Sequence, residues 1–448
     1  MNFNEFKNLV IAECEKSGIT EYELYYQMGE STSVDTFQHA INEFSSSRDG
    51  GVCFRCIVGG RMGYASTEDL SAEQAKTVVA KAADNAAVLE SEEQVFLGEG
   101  GQEYEALNIT PYDLPSTEEL ITTVLNTQEK IYAADPLVVD GCQTQGIREY
   151  SEIAICNSKG LDLHYENNVS GLIAVGVVAE GGEMSNDYQI KLGKLSEIDT
   201  DTLAKKAVDG AKVKLGGDVA PTGQYPVVFD PEAMSSLLQV YSSIFSSETA
   251  QKGLSKLGGQ EGELIASPIV TLVDDPFHPE NPMPIHFDAE GSPTHRKNII
   301  ENGRLQTLLY NLKTAAVAGK QTTGNASKAG YDSPVSLQPF TMYLANGNMT
   351  EEELLVKAAN GVYINSLVGL HAGANAVSGD FSLQSSGFMI RDGKKAEYVK
   401  SFTVAGNFYD LLKNITALAD NCQLPQALGM TAFGAPSTLV EGLSIAGK

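Results

Sequence analysis

The chain has 448 residues, room for roughly three domains at about 150 residues each. Hydrophobic residues make up 42% and charged residues 20%, which excludes a disordered or fibrous chain and allows a core that needs no disulfide or metal staple. A formal charge of −27 repels phosphate backbones and argues against direct nucleic-acid binding.

In chain order, Phe6, Val10 and Cys14 share one face and predict a helix from Phe3 to Ser17. Alternating runs at 21–28, 33–44 and 51–64 read as strands, with Gly50-Gly51 and Gly59-Gly60 as hairpin turns. The stripe Ala75, Val78, Val79, Ala82 and Ala86 predicts a helix over 71–89. These elements form an N-terminal α+β subdomain, 1–91, and the Glu-, Gly- and Pro-rich residues 92–115 read as a linker.

A second α+β subdomain, 116–217, repeats the order. Ser116-Thr-Glu-Glu119 is a capping box opening a helix that runs to about Ala134. Strand-like segments follow at 137–139, 149–157, 162–166 and 171–180, then a helix over 202–213. Residues 222–448 are rich in Gly, Ser and Thr and read as one large sheet-rich domain. Expected there are a strand at 225–229, a helix at 231–249, a strand at 265–273 and a Pro-rich loop. A helix opened by Thr350-Glu-Glu-Glu353 follows, then strand-like alternation over 361–406 and a helix over 407–420. The densest basic run, Arg391-Asp-Gly-Lys-Lys395, reads as an exposed hairpin turn. The fold class is therefore α+β: two smaller helix-meander-helix subdomains followed by a large sheet-rich C-terminal domain.

The chemistry-bearing motifs are sparse. Cys53-Phe-Arg-Cys56 lies in an alternating run, and residues three apart on a strand point to opposite faces, so the pair does not converge on one ion. His278, His286 and His295 cluster with Asp288 in an acidic, Pro-rich stretch and are the candidate ligands of an alternative metal site, with an irregular loop as the other reading. No His-Glu-x-x-His, Gly-x-Ser-x-Gly or P-loop pattern occurs, and Cys422 has no partner the sequence can place. The N-terminus lacks a basic region followed by an apolar run, and no apolar stretch approaches the ~18 residues of a membrane span. A cytoplasmic protein with no membrane partner is the expectation.

Several segments, in order, resemble the TldD/PmbA family and within it the PmbA (TldE) branch. They are Pro226-Val-Val-Phe-Asp-Pro-Glu232, Phe287-Asp-Ala-Glu-Gly-Ser-Pro-Thr294, Ile300-Glu-Asn-Gly-Arg-Leu-Gln306 and Thr323-Gly-Asn-Ala326. Ser378-Gly-Asp-Phe-Ser-Leu-Gln-Ser-Ser-Gly387, Phe402-Thr-Val-Ala-Gly-Asn407 and Phe433-Gly-Ala-Pro-Ser437 continue the series. The resemblance implies a peptidase-like C-terminal domain and a heterodimer with a TldD-like subunit, the pair acting on unfolded, extended peptides. It also implies zinc held by a His-Glu-x-x-x-His helix and a later Cys on the TldD-type partner. In this chain the matching positions carry Leu238, Gln239 and Ser243, no histidine occurs from Met234 to Ser247, and the tail Gly434–Ser437 offers no Cys. An aliphatic, an amide and a hydroxyl do not activate a zinc-bound water, so no catalytic residue and no cofactor is assigned to this chain.

The leading expectation is a non-catalytic subunit that helps hold an extended peptide along a sheet edge at Ser378, Gly379, Asp380, Phe381 and Ser382, with an interior hairpin as the other reading of that segment. The alternatives are a stand-alone metal-dependent peptidase using the His278–His295 loop, and a non-enzymatic regulator that binds a protein. The isolated chain is also a candidate homodimer.

Overall fold

A computed structural model describes residues 1–90, 93–107, 112–425 and 431–448. Position 91 of the first expected subdomain, and 92 and 108–111 of the expected linker, lie outside the described residues.

The N-terminal half comprises α1 (Phe3–Ser17), β1 (Tyr22–Phe37), β2 (Ala40–Val58), β3 (Arg61–Thr67), α2 (Ala72–Val88), α3 (Thr117–Ala134), β4 (Gln143–Asn157), β5 (Asp162–Glu180), β6 (Glu183–Leu192) and α4 (Thr200–Val213). Each expected helix is present, and the Ser116 capping box closes on Glu119 in both directions. The two meanders join in one antiparallel sheet of order β3-β2-β1-β4-β5-β6, because β1 and β4 pair from Glu23↔Asn157 to Phe37↔Gln143.

Strand alternation splits the side chains between two layers. Leu24, Tyr26, Ala154 and Cys156 pack with α1 and α2, and Leu172 and Ala174 with α3 and α4. Tyr25, Ile153, Ile155 and Tyr165 point the other way, onto Ile285, Phe287, Ala326 and Phe340 of the C-terminal half. The sheet is thus sandwiched between a helical layer and the C-terminal half. Cys56 joins the helical-face core, while Cys53 senses Lys328 of the C-terminal half.

The C-terminal half begins with β7 (Asp218–Val219), β8 (Gly223–Phe229), α5 (Pro231–Tyr241), α6 (Ser247–Gln251), β9 (Leu272–Asp274), β10 (Lys297–Glu301), β11 (Arg304–Leu305) and α7 (Leu312–Ala318). It continues with β12 (Ala326–Ser327), β13 (Ser336–Leu337), β14 (Thr341–Leu344), α8 (Glu351–Ala358), β15 (Gly361–Val368), α9 (Leu370–Gly373), β16 (Asp380–Arg391) and β17 (Lys394–Asn407). It ends with α10 (Phe408–Lys413), β18 (Ile415–Leu418), β19 (Ala432–Gly434) and β20 (Thr438–Ala446). Strands β8-β15-β16-β17-β20 close into a barrel through the β17–β20 pairing, and a second sheet has the order β11-β10-β9-β14-β19. No helix among the described residues is long and apolar enough to cross a membrane.

The differences from expectation have local causes. The run 33–44 is a hairpin whose turn sits at Gln38 and His39, both at positive φ. Gly50-Gly51 lies inside β2: a Cβ on Gly51 would meet the Thr67 carbonyl oxygen at 2.5 Å and the Tyr331 ring at 2.7 Å, so glycine serves close approach, not a turn. The expected helix over 231–249 breaks after Tyr241 into a 3-10 turn and the short α6, where serines 242, 243, 246 and 247 compete for backbone hydrogen bonds. The expected helix over 407–420 is α10 followed by β18, whose Ile415, Ala417 and Leu418 are buried against β20. The expected strand over 265–273 reduces to β9, and Leu137–Val139 contributes a single bridge, Val138↔Val178.

Candidate functional site

Helix α5 is capped by Asp230, whose carboxylate accepts from the Ala233 N–H at 2.7 Å, with Pro231 in its first turn. Its apolar stripe, Ala233, Met234, Leu237, Leu238 and Tyr241, sinks into the barrel core. Leu238 is 0% exposed, whereas Gln239 and Ser243 face solvent and Ser243 lies beyond the α-helical part. The three positions matching the family's zinc ligands therefore do not converge.

The tail strand β19 does lie against α5, so the segments the family uses are adjacent. Beyond β19, Ser437 is fully buried and its hydroxyl is committed to Glu351 at 2.7 Å, with Asn421 Nδ2 donating to it at 3.1 Å. Glu351 also takes Lys395 Nζ at 2.7 Å and the Tyr363 hydroxyl at 3.1 Å. Burial pushes the Glu351 carboxyl up, but these donors outweigh it and hold it below its ordinary range. Asp230, desolvated with Glu232 and Glu351 nearby, is pushed up to about 8 despite the Ala233 N–H and Lys395. An aliphatic side chain in the core, an exposed amide and two hydroxyls, one of them engaged, do not fit zinc, which takes thiolate, imidazole or carboxylate donors.

The structure does not group the candidate ligands of the His278–His295 loop around one point. His278 packs edge-on against Tyr343, and its Nδ1 accepts from the Glu280 N–H at 3.2 Å. His286 sits among Tyr104, Tyr165 and Phe287, and burial holds its imidazole below the ordinary range. His295 is exposed. Asp288 is buried and accepts from the N–H groups of Glu290, Ser292 and Ala326, each at 2.9 Å. Among the described residues no three His, Cys, Asp or Glu side chains are grouped to hold a metal ion.

The same loop explains part of the resemblance in structural terms. Asp274 accepts from Asn325 at 2.7 Å, from the N–H groups of Phe340 and Thr341 at 2.8 and 3.1 Å, and from Lys297 at 3.2 Å. Glu290 accepts from the Leu312 N–H at 2.8 Å at the start of α7. These buried carboxylates clamp loops together.

The expected sheet edge at Ser378–Ser382 is interior. Residues 380–383 of β16 pair with β17, Phe381 also bridges Ala374, and from Gln384 onward β15 covers the other side. The Ser378 carbonyl accepts from Lys256 and Asn407 at 2.7 and 2.9 Å, Gly379 is buried with its carbonyl bonded to the Phe408 N–H, and Phe381 is in the core. Asp380 and Ser382 are exposed, but the backbone between them is already engaged.

The terminal strand β6 instead borders a groove of roughly 660 Å3. Tyr188 to Lys191, Glu232 of α5, the 279–282 loop and Gln423–Pro425 line it. The Tyr188 hydroxyl donates to Glu232 at 2.9 Å, tying the edge to the first turn of α5. The alternation Met184, Tyr188, Ile190, Leu192 is the sequence signal for this strand, diluted by the charged and amide residues between.

Three comparisons bear on this geometry. The PmbA/TldA metallopeptidase domain 1 matches residues 22–86, the central domain 111–215 and the C-terminal domain 222–447. A Methanothermobacter thermautotrophicus metalloprotease is 27% identical over 394 residues, 86% of this chain and 84% of that one. The metalloprotease PmbA of Escherichia coli O157:H7 is 23% identical over 398 residues, 87% of this chain and 85% of that one. A Thermotoga maritima crystal structure, described as a candidate modulator of a DNA gyrase, superposes with a TM-score of 0.89 at 29% identity, covering 99% of this chain and 100% of that one. TldE from Thermococcus kodakarensis shares the fold, with a TM-score of 0.87 at 23% identity over 98% and 99% of the two chains. On these matches, which span all three domains, the chain belongs to the PmbA/TldD metallopeptidase family.

Proposed function

We propose that this chain is a PmbA/TldE-like, non-catalytic subunit of a two-chain metallopeptidase, in which a TldD-type partner carries the zinc and this chain helps hold an unfolded peptide. The observation that carries the reading is the donor set at α5: Leu238 in the core, Gln239 and Ser243 on the surface, and Ser437 engaged by Glu351. The groove beside β6 supports the second half of the reading. A terminal strand offers main-chain hydrogen bonds to an extended peptide without demanding a sequence.

The test is hydrolysis of an unstructured peptide by the chain alone, by a TldD-type partner alone and by the mixture. The expected result is no turnover by the chain alone and turnover by the mixture above that of the partner. In the mixture, Tyr188→Ala should raise KM several-fold with little change in kcat, as loss of binding uniform to ground and transition states does. Turnover by the chain alone, abolished by a chelator, would overturn the reading.

A further inference from the structure

The groove beside β6 carries four charged side chains, and the pleat of the strand sorts them by sign. Residues alternate across a strand, so neighbouring side chains face opposite sides of the sheet. Lys191 pairs with Leu172, whose side chain packs with α3 and α4, so Lys191 lies on the helical side. Lys206 reaches the groove from α4 on that same side. Tyr188 and Ile190 point the other way, Tyr188 to Glu232 of α5 and Ile190 onto Ile147 and Val169. Glu232 and Glu280 therefore face the groove from the C-terminal half. Among the described residues none of these four charges is in an ion pair. The nearby Asp187, packed against α4 on the helical side, is held by Lys214 at 2.7 Å.

The edge backbone fixes where an added strand would sit. In an antiparallel pair the N–H and C=O of one residue point to the same side. The Gly193 N–H donates to Ser170 on β5 at 2.8 Å, whereas the Asn186 carbonyl turns away and accepts from Lys214 at 3.1 Å. Even-numbered positions therefore turn their main chain outward, which sets Tyr188 and Ile190 opposite an incoming peptide. Peptide side chains paired with Tyr188 and Ile190 face Glu232 and Glu280, and those paired with Gln189 and Lys191 face the two lysines. At roughly 660 Å3 the groove is large enough for the few residues that pair there.

We propose that the groove selects extended peptides of alternating charge, with acidic residues toward Lys191 and Lys206 and basic residues toward Glu232 and Glu280. This deepens the peptide-holding role proposed above and rests on it. Net charge does not make the selection, because the two lysines and two glutamates cancel. The arrangement makes it: opposite charges meet on both sides of the added strand only when the peptide alternates with the pleat. Each exposed contact is weak and screened by salt, so the preference depends on ionic strength.

The test is fluorescence anisotropy with two labelled, end-capped peptides of one composition, Glu-Lys-Glu-Lys-Glu-Lys-Glu-Lys and Glu-Glu-Lys-Lys-Glu-Glu-Lys-Lys. As a strand, the first has one acidic and one basic face, whereas the second mixes both signs on each face. Both are neutral overall, so the long-range field of a chain of −27 acts equally on them. The full chain is expected to bind the alternating peptide about threefold or more tightly at about 20 mM salt. The ratio should approach one at about 0.5 M salt. Lys191→Gln combined with Lys206→Gln should also bring the low-salt ratio towards one, and a ratio taken within one protein survives partial loss of folded material. Equal affinity at low salt, or an unchanged ratio in the double variant, would overturn the charge pattern while leaving peptide holding in place. Saturable binding of neither peptide, nor of a neutral Thr-Gln repeat, would instead overturn the peptide-holding reading and this inference with it.

Discussion

Asp288 keeps three backbone N–H groups satisfied inside the protein, and nothing else among the described residues bonds to them through a side chain. Asp288→Ala would strand these donors, and with each unsatisfied buried group costing about 1–3 kcal/mol the loss should be about 3 kcal/mol or more in chemical denaturation. A loss below about 1 kcal/mol would show that the loop rearranges. Asp230 makes a second, pH-dependent prediction. Its folded-state pKa of about 8 lies above the model-peptide value of 3.8, so the folded chain binds the proton more tightly than the unfolded chain. Stability from this group is therefore greatest at low pH and falls as pH rises to about 8, where the desolvated carboxyl ionises beside Glu232 and Glu351 with Lys395 as its nearby cation. Asn keeps the cap and cannot ionise, so Asp230→Asn should show a smaller fall in urea midpoint between about pH 5 and about pH 9. An identical pH profile in both proteins would sink the assignment.

At the scale of elements, β16 shows why its glycine is needed. A Cβ at Gly387 would lie 1.8 Å from the Tyr363 carbonyl oxygen on β15, so Gly387→Val must push two barrel strands apart. The expected cost is about 3 kcal/mol or more by thermal or chemical unfolding, and a neutral result would mean the barrel wall yields. The helices of the N-terminal half were legible in the sequence because each carries its own cap and stripe, as Ser71 and Ser116 show. Strand boundaries were less so. Breaks read at 167–170 and at Gly50-Gly51 are continuous strand, since Asn167 and Ser170 are buried and hydrogen-bonded to Pro282 and Gly193. Polar residues that read as loop are strand residues when the other face of the sheet is covered by distant chain. The candidate site was legible at α5, where the missing donors are plain in the sequence. It was illegible at β6, whose role depends on the loop at 279–282 and the segment at 423–425 arriving from far along the chain.

Across the whole molecule, the six-stranded sheet couples the parts that the proposed function uses. One face buries Tyr25, Ile153 and Tyr165 against the C-terminal half, while the terminal strand β6 reaches Glu232 at the start of α5. The β6 groove therefore takes one wall from each half. The α+β fold and the order of its three parts followed from the sequence, whereas the fusion of two meanders into one sheet did not, since cross-strand pairing of β1 with β4 spans more than a hundred residues. The central claim is that α5 and the tail cannot hold zinc. The most direct measurement is the metal content of the purified full-length chain, by mass spectrometry after dialysis without chelator. The account predicts well below one zinc per chain, and one tightly held zinc per chain would contradict it.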